Sequence, residues 1–265
     1  MPAVRSAPLT EFPPSAARAV LGVMTDIDDT LTTDGAITPE ALAALHRLRD
    51  AGLPVIAITG RPMGWSLPFA FAWPVDAIVA ENGAVALLPD GSVEYVQDEP
   101  TRRRHALRLQ AVGARVLAEV PGAQLARDSA GRVTDIAIDH AEFAHLTPAD
   151  IDRVVAIMRN EGMNASVSSI HINGWFGNHD KPSGARWIVE WLYGRRLDAE
   201  IDRWVYVGDS TNDQAMFEAF DLSVGFANLM QFADRLSIWP AYITQRARGA
   251  GFKEVVDRLL GSPAS

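Results

Sequence analysis

Apolar residues recur along this chain in short blocks, each running into a polar end. Val20, Leu21, Val23 and Met24 lead into Thr25-Asp26-Ile27-Asp28-Asp29-Thr30-Leu31. Pro54 to Ile58 ends in Thr59-Gly60-Arg61-Pro62, and Ala77 to Ala80 ends in Glu81-Asn82-Gly83. Short unbroken apolar runs bounded by turn residues predict buried strands of a parallel sheet. Between them the period lengthens. Thr38-Pro39-Glu40 starts a helix, with Thr38 as N-cap and Pro39 at the first helical position; Leu42, Leu45 and Leu48 form its apolar stripe, and Gly52 stops it. A second helical segment carries Trp65, Phe69 and Phe71 and closes at Pro74. Thr32 to Ile37 reads as a polar loop. The alternation β-α-β-α-β with short connections predicts α/β architecture with crossover helices.

From Ala84 the rhythm changes. Two apolar runs flank Pro89-Asp90-Gly91, a hairpin signal. A long helix over 101–120, a strand over 132–139, a helix from Thr147-Pro148 to Gly162 and short strands over 163–167 and 170–172 follow. The first rhythm then resumes. A helix over 183–193 precedes a strand over 204–207, which ends in Gly208-Asp209-Ser210-Thr211-Asn212-Asp213. A short helix over 215–220, a strand over 222–226 ending in Ala227-Asn228, a strand at 242–244 and a helix over 252–260 complete the chain. This pattern predicts a Rossmann-like parallel-sheet core, residues 18–96 and 174–265, interrupted by an α+β insertion over 97–173. Residues 1–17, with Pro2, Pro8, Pro13 and Pro14, read as a flexible proline-rich lead-in without an apolar signal core.

Composition narrows the function classes. With a net charge of −9 and no basic block longer than Arg102-Arg103-Arg104, a nucleic-acid or membrane-surface role is disfavoured. The absence of cysteine removes disulfides and thiolate metal sites. No apolar run approaches a membrane span, so the expected location is the cytoplasm. Neither composition nor charge bears on assembly, and a monomer or small homo-oligomer is expected.

A parallel sheet gathers its strand ends on one edge, where open α/β sheets bind ligands. That edge would hold Asp26, Asp28 and Thr30; Thr59, Gly60 and Arg61; Glu81 and Asn82; and Asp209, Asn212 and Asp213. Asp26 and Asp28, two apart, point the same way on an extended backbone. Carboxylates at this density call for a hard cation, and oxygen ligands suit Mg2+. Hydroxyls, Asn and exposed backbone amides suit a phosphate. Lys181 and Lys253 are the lysines of the chain, and Lys181 is the candidate to neutralise the cluster.

These residues resemble the four motifs of the haloacid dehalogenase superfamily of phosphatases. Asp26-Ile27-Asp28-Asp29-Thr30 matches the first, Thr59-Gly60-Arg61 the second, Lys181 the third and Gly208-Asp209-Ser210-Thr211-Asn212-Asp213 the fourth. The insertion between the second and third motifs is similar to the class IIB cap of Cof-type, sucrose-phosphate and mannosyl-3-phosphoglycerate phosphatases. The resemblance implies a phosphomonoester hydrolase acting on a sugar phosphate or similar small phosphorylated metabolite. Asp26 would be the nucleophile forming an aspartyl-phosphate, and Asp28 the general acid and base. Mg2+ would bind the Asp26 carboxylate, the Asp28 backbone carbonyl and Asp209. Thr59, Gly60 and Lys181 would hold the phosphoryl oxygens, with Asp213 orienting Lys181. Arg61, Asn82 and Asn212 join the substrate side, and Ser169, His171 and Asn173 are the candidate cap contacts. Two positions depart from the family pattern: Asp29 and Pro182 stand where glycine is common, and the Asp29 side chain is expected to turn away from the metal.

Two other functions share parts of this pattern. A phosphomutase of the phosphomannomutase type uses the same core and cap class, but also needs a second anion site in the cap. A phospho-accepting receiver uses an acidic cluster, a threonine and a lysine, but has neither an inserted cap nor the equivalent of Asp28. The spacings of His140 with His145 and of His171 with His179 match no zinc pattern. Arg102 to His105 reads as a solvated helix face. The tryptophans read as packing residues, with Trp175 and Phe176 the pair placed to stack on a sugar.

Overall fold

The computed structural model describes residues 6–261. The first apolar block becomes the strand Gly22–Thr25, buried along its whole length. It pairs in parallel with Val55–Ile58 on one side and Trp204–Gly208 on the other. The full sheet runs in the order Ala7–Pro8, Tyr242–Ile243, Leu222–Gly225, Trp204–Gly208, Gly22–Thr25, Val55–Ile58, Ala77–Ala80, Val85–Leu87, Val93–Tyr95. The last two strands are antiparallel, because the chain turns back through Ala84 and again at Pro89-Asp90-Gly91. Successive side chains leave opposite faces of a strand. Val23, Val205 and Val207 therefore pack with the helices Pro39–Asp50 and Arg248–Leu260, while Met24, Trp204 and Tyr206 pack with Lys181–Tyr193 and Gln214–Ala219. Strand order reverses beside Gly22–Thr25: the chain first builds outward through Val55–Ile58, then returns to add Trp204–Gly208 on the other side. The crevice at such a reversal, beyond the carboxyl ends of the strands, is where this architecture holds ligands.

The insertion forms a second, antiparallel sheet in the order Asn164–Val167, His171–Trp175, Asp135–Asp139, Gln124–Leu125. Helices Glu99–Glu119 and Pro148–Asn160 close one face of it over Ile138 and Ile172, with Val112, Val116, Val154 and Met158 in the same cluster. The register pairs Asp139 with His171, Ala137 with Asn173 and Asp135 with Trp175. Alternation sends these residues to the other face, toward the main sheet.

Several sequence expectations are corrected here. Residues 1–5 of the lead-in lie outside the described residues. Residues 6–19 are not a loose lead-in: Ala7–Pro8 adds a parallel edge strand, Pro14–Ala19 is helical, and Leu9 and Phe12 are buried, Phe12 against Tyr242. Burying an aromatic side chain fixes the segment that carries it. The polar loop after the first motif is a small hairpin, Thr32–Thr33 with Ala36–Ile37, turning at Asp34-Gly35. The boundary drawn at 173 falls inside the strand His171–Trp175, which register with Asp135–Asp139 carries past that point. Gln124–Leu125, a two-residue edge strand, was too short to leave a periodic signal. Among the described residues, no helix is long and apolar enough to cross a membrane.

Candidate active site

Three adjacent strands deliver the first functional groups. Asp26 follows the central strand, and its N–H still donates to the Val207 carbonyl, so the carboxylate starts where sheet pairing ends. Asp209 follows the neighbouring strand on one side and Thr59 the neighbour on the other. Lys181 is not before its helix but in its first turn, with Asp180 as N-cap and Pro182 beside it, where a missing N–H is tolerated. Lys181 Nζ donates to Asp26 Oδ1 at 2.6 Å and to Asp213 Oδ1 at 2.7 Å. Asp213 is held in turn by the Tyr206 hydroxyl at 2.5 Å and by the N–H groups of Asp209 and Ser210 at 2.9 and 3.0 Å. Asp209 accepts from Thr30 Oγ1 at 3.3 Å and from Asn228 Nδ2 at 2.7 Å.

This cluster is buried and short of positive charge. Oxygens of Asp26, Asp209 and Asp213 lie within 4.8 Å of one another, with Lys181 the ammonium among them. Burial pushes the Asp26 carboxyl up to about 7 against the pull of Lys181, and pushes Asp209 well above the carboxylate range, with Asp213 and Asp26 adding to the effect. For Lys181, burial opposes the charge, but Asp213 and Asp26 outweigh it and hold the group above its ordinary range. Asp213 is committed to Lys181, Tyr206 and two backbone N–H groups, which leaves Asp26 and Asp209 as the carboxylates open to a cation. The Asp28 carboxylate is not part of this cluster.

Asp28 faces Arg61 instead. Arg61 Nε and Nη2 grip its carboxylate at 2.9–3.1 Å. The same guanidinium reaches across to loops of the insertion, pairing with Asp128 and Glu142, both at 3.1 Å. Glu142 also binds His171 Nε2 at 2.9 Å, and that hydrogen bond together with Arg61 draws its carboxyl down to about 2. Arg61, placed on the substrate side from sequence, is thus occupied by three carboxylates. Asp29 sits at φ +53°, a left-handed conformation that Asp tolerates better than most residues, and its carboxylate turns to Arg248 at 2.9 Å.

The remaining predicted residues divide. Thr59 Oγ1 accepts from the Arg61 N–H, and Asn173 Nδ2 reaches the Gly60 carbonyl at 3.1 Å. Ser169, His171, Asn173 and Asn212 line one narrow cleft with Asp26, Asp28, Thr59 and Gly60. Asn82 packs behind Gly60, in a left-handed conformation, and its buried Nδ2 has no partner among the described residues. Trp175 and Phe176 are not a sugar platform. Both are buried: Trp175 is stacked on His179 and donates to its carbonyl, and Phe176 lies under Arg108 in the apolar cluster of the insertion's helices.

Sequence reasoning missed Tyr206, Asn228, Glu81 and Glu142. Asn228 carried a signal: it follows a parallel strand, as Asp26 and Asp209 do. Glu81 was noted at a strand end without a role. It is buried, accepts from the N–H groups of Met63, Val133 and Thr134, and so ties the two sheets together. Burial and then Asp135 push its carboxyl up to about 7. Tyr206 and Glu142 gave no signal, since one sits mid-strand and the other in an irregular loop.

Comparison with known proteins bears on this arrangement. Residues 23–109 match the model of the haloacid dehalogenase-like hydrolases. The chain is 28% identical over 247 residues to a phosphoglycolate phosphatase of Pyrobaculum neutrophilum, covering 91% of this chain and 96% of that one. A phosphoglycolate phosphatase of Methanothermobacter thermautotrophicus is 25% identical over 252 residues, covering 90% and 98%. Among solved structures, a Thermoplasma acidophilum protein superposes with a TM-score of 0.70 at 16% identity, over 92% of this chain and 99% of that one. The sucrose-phosphatase of Synechocystis sp. PCC6803 superposes at 0.65 and 16% identity, over 90% and 97%. These structural likenesses extend to both sheets.

Proposed function

We propose that this chain, whose residues 23–109 match the haloacid dehalogenase-like hydrolases and which is similar over nearly its whole length to phosphoglycolate phosphatases, is a Mg2+-dependent phosphomonoester hydrolase working through an aspartyl-phosphate on Asp26. Its substrate in this reading is a sugar phosphate or similar small phosphorylated metabolite, the class to which the names of its relatives belong. The carrying observation is the run Asp26–Lys181–Asp213–Tyr206, which fixes one oxygen of Asp26 while leaving the carboxylate at the cleft floor. The donor set fits a hard divalent cation: buried carboxylate oxygens, one nearby ammonium and no sulfur. Asp26 and Asp209 would hold it with the Asp28 backbone carbonyl. Such an ion supplies positive charge that screens the nucleophile from the phosphate and stabilises the oxygens in transfer.

The residues then divide the work. Asp26 attacks phosphorus; the bond from phosphorus to the leaving oxygen breaks, and Asp28 gives that oxygen its proton. Asp28 next takes a proton from water, which attacks the aspartyl-phosphate, releasing phosphate and restoring Asp26. Thr59, the Gly60 N–H and Lys181 hold the phosphoryl oxygens through both displacements. The inserted sheet acts as a cap over this edge. The core and cap division is part of the same reading, as are a cytoplasmic location and a monomeric or small homo-oligomeric state. The test is phosphate release from p-nitrophenyl phosphate and a panel of small phosphate esters, with and without Mg2+. Release that depends on Mg2+ is expected. No release from any of them, or release indifferent to a chelator, contradicts the reading.

A further inference from the structure

The cleft that holds Asp26 leaves room for about one water molecule with the cap in place. A larger cavity, of about 400 Å³, begins on the far side of Asp28 and Arg61. Its size falls within the range of about 300–1,000 Å³ typical of small-molecule sites. The two spaces share Asp28, Arg61 and Ile170 as a common wall. If the phosphoryl group lies at Asp26 and its leaving oxygen at Asp28, the rest of the substrate extends into this cavity.

Its lining carries a definite charge balance. Asp28, Asp29, Asp34 and Glu142 face it, against Arg61 and Arg248. Both guanidiniums are already spent: Arg61 on Asp28, Asp128 and Glu142, Arg248 on Asp29 and Asp34. Glu142 is the one of the four acids supplied by the cap. It is held in place from behind: the Asp139 carboxylate accepts from the N–H groups of Ala141, Glu142, Phe143 and Ala144, which fixes the loop, and His171 holds the side chain. A carboxylate entering here meets like charge and finds each arginine paired. A hydroxyl finds carboxylate acceptors.

We infer that Glu142 is a specificity-determining residue that selects for a neutral, hydroxyl-bearing leaving group and against a carboxylate. The inference rests on the phosphatase reading above and deepens it. Occupying Arg61 is the attractive half of the device, and repelling a second anion is the other. It sets this chain apart from relatives named for phosphoglycolate, whose leaving group carries a carboxylate.

A matched pair of substrates isolates the effect. 2-Hydroxyethyl phosphate and phosphoglycolate share the ester and differ in a hydroxymethyl against a carboxylate; glycerol 3-phosphate and 3-phosphoglycerate repeat the contrast. The readout is the ratio of kcat/KM within each pair, with p-nitrophenyl phosphate reporting turnover as such. Wild type is expected to favour the neutral member by about tenfold or more. Glu142→Gln is expected to shrink the ratio by improving the carboxylate member, and Glu142→Asp to retain it. A merely structural role would lower both members alike. Preference of wild type for the carboxylate member, or an unchanged ratio in Glu142→Gln, overturns the inference while the phosphatase reading stands. No release from any substrate, p-nitrophenyl phosphate included, overturns the phosphatase reading and this inference with it.

Discussion

At the scale of single residues, the site is a problem in burying charge. Asp26, Asp209 and Asp213 are nearly or wholly out of water, and Lys181 is what makes two of them tolerable. Removing one partner of a buried pair strands the other, at a cost of about 3–5 kcal/mol. Lys181→Ala is therefore expected to lower unfolding stability by about that amount and to cut kcat by at least about a hundredfold, checked by denaturant titration and phosphate release. A second residue-scale prediction concerns His179, buried beside Trp175 with its Nε2 unpartnered among the described residues. Burial pulls its pKa down to about 4 from the usual 6.5. Above 6.5 the ring is neutral folded or unfolded. As pH falls from 6.5 toward 4, only the unfolded chain takes the proton, so stability is lost across that window, by up to about 3 kcal/mol. The stability difference between wild type and His179→Gln is expected to narrow from pH 7 to pH 4; a constant difference contradicts the assignment. At this scale the sequence was most informative where a strand ends. Asp26, Thr59 and Asp209 were placed by that rule alone. Glu142 and Tyr206 were not, because no period or motif marks a residue whose role comes from what folds opposite it.

At the scale of elements, placing Lys181 depends on how closely its helix approaches the main sheet. Gly83 has φ +103°, and a Cβ built there would lie 2.2 Å from the Asp180 carbonyl oxygen, the residue that caps the helix. Gly52 also has positive φ, +73°, but nothing lies within 4 Å of a Cβ there. Gly52→Ala is thus expected to cost about 1–2 kcal/mol, the left-handed penalty alone. Gly83→Ala adds a backbone clash, so a larger loss of stability is expected, with a fall in activity as the lysine helix shifts. Thermal unfolding of the two variants side by side checks this, and equal losses contradict it. The helix starts were legible because Thr38 and Thr147 cap with their own side chains. The elements that were missed, Gln124–Leu125 and the hairpin at 32–37, are pairs too short for any period to show.

At the scale of the whole molecule, the inserted sheet meets the main sheet by polar contacts rather than through a shared apolar core. Thr211 Oγ1 donates to the Val167 carbonyl, Arg132 and Asn173 reach the Gly60 carbonyl, and Arg61 pairs with Asp128 and Glu142. The apolar clusters stay separate, two on the faces of the main sheet and one within the cap. The cleft is too tight for a phosphate ester with the inserted sheet in place, so under the proposed function turnover is expected to require that this interface open. The cysteine-free chain permits a direct check. Ser168→Cys with Ser210→Cys, a pair lining the cleft from its two sides, oxidised across it, is expected to lose turnover and recover it on reduction; full activity when oxidised contradicts the opening step. An insertion was legible as a change of rhythm in the sequence, but its closure over the strand ends was not, since those contacts join residues far apart in the chain. In the proposed function all of these parts serve one chemical event, transfer of the phosphoryl group to Asp26. The direct measurement is acid quench of the enzyme during turnover of p-nitrophenyl phosphate with Mg2+, followed by mass mapping of its peptides. One added phosphoryl group on the peptide bearing Asp26, absent in Asp26→Asn, is the expected result. Steady turnover with no phosphoryl group on that peptide, or with the group on another residue, contradicts the account.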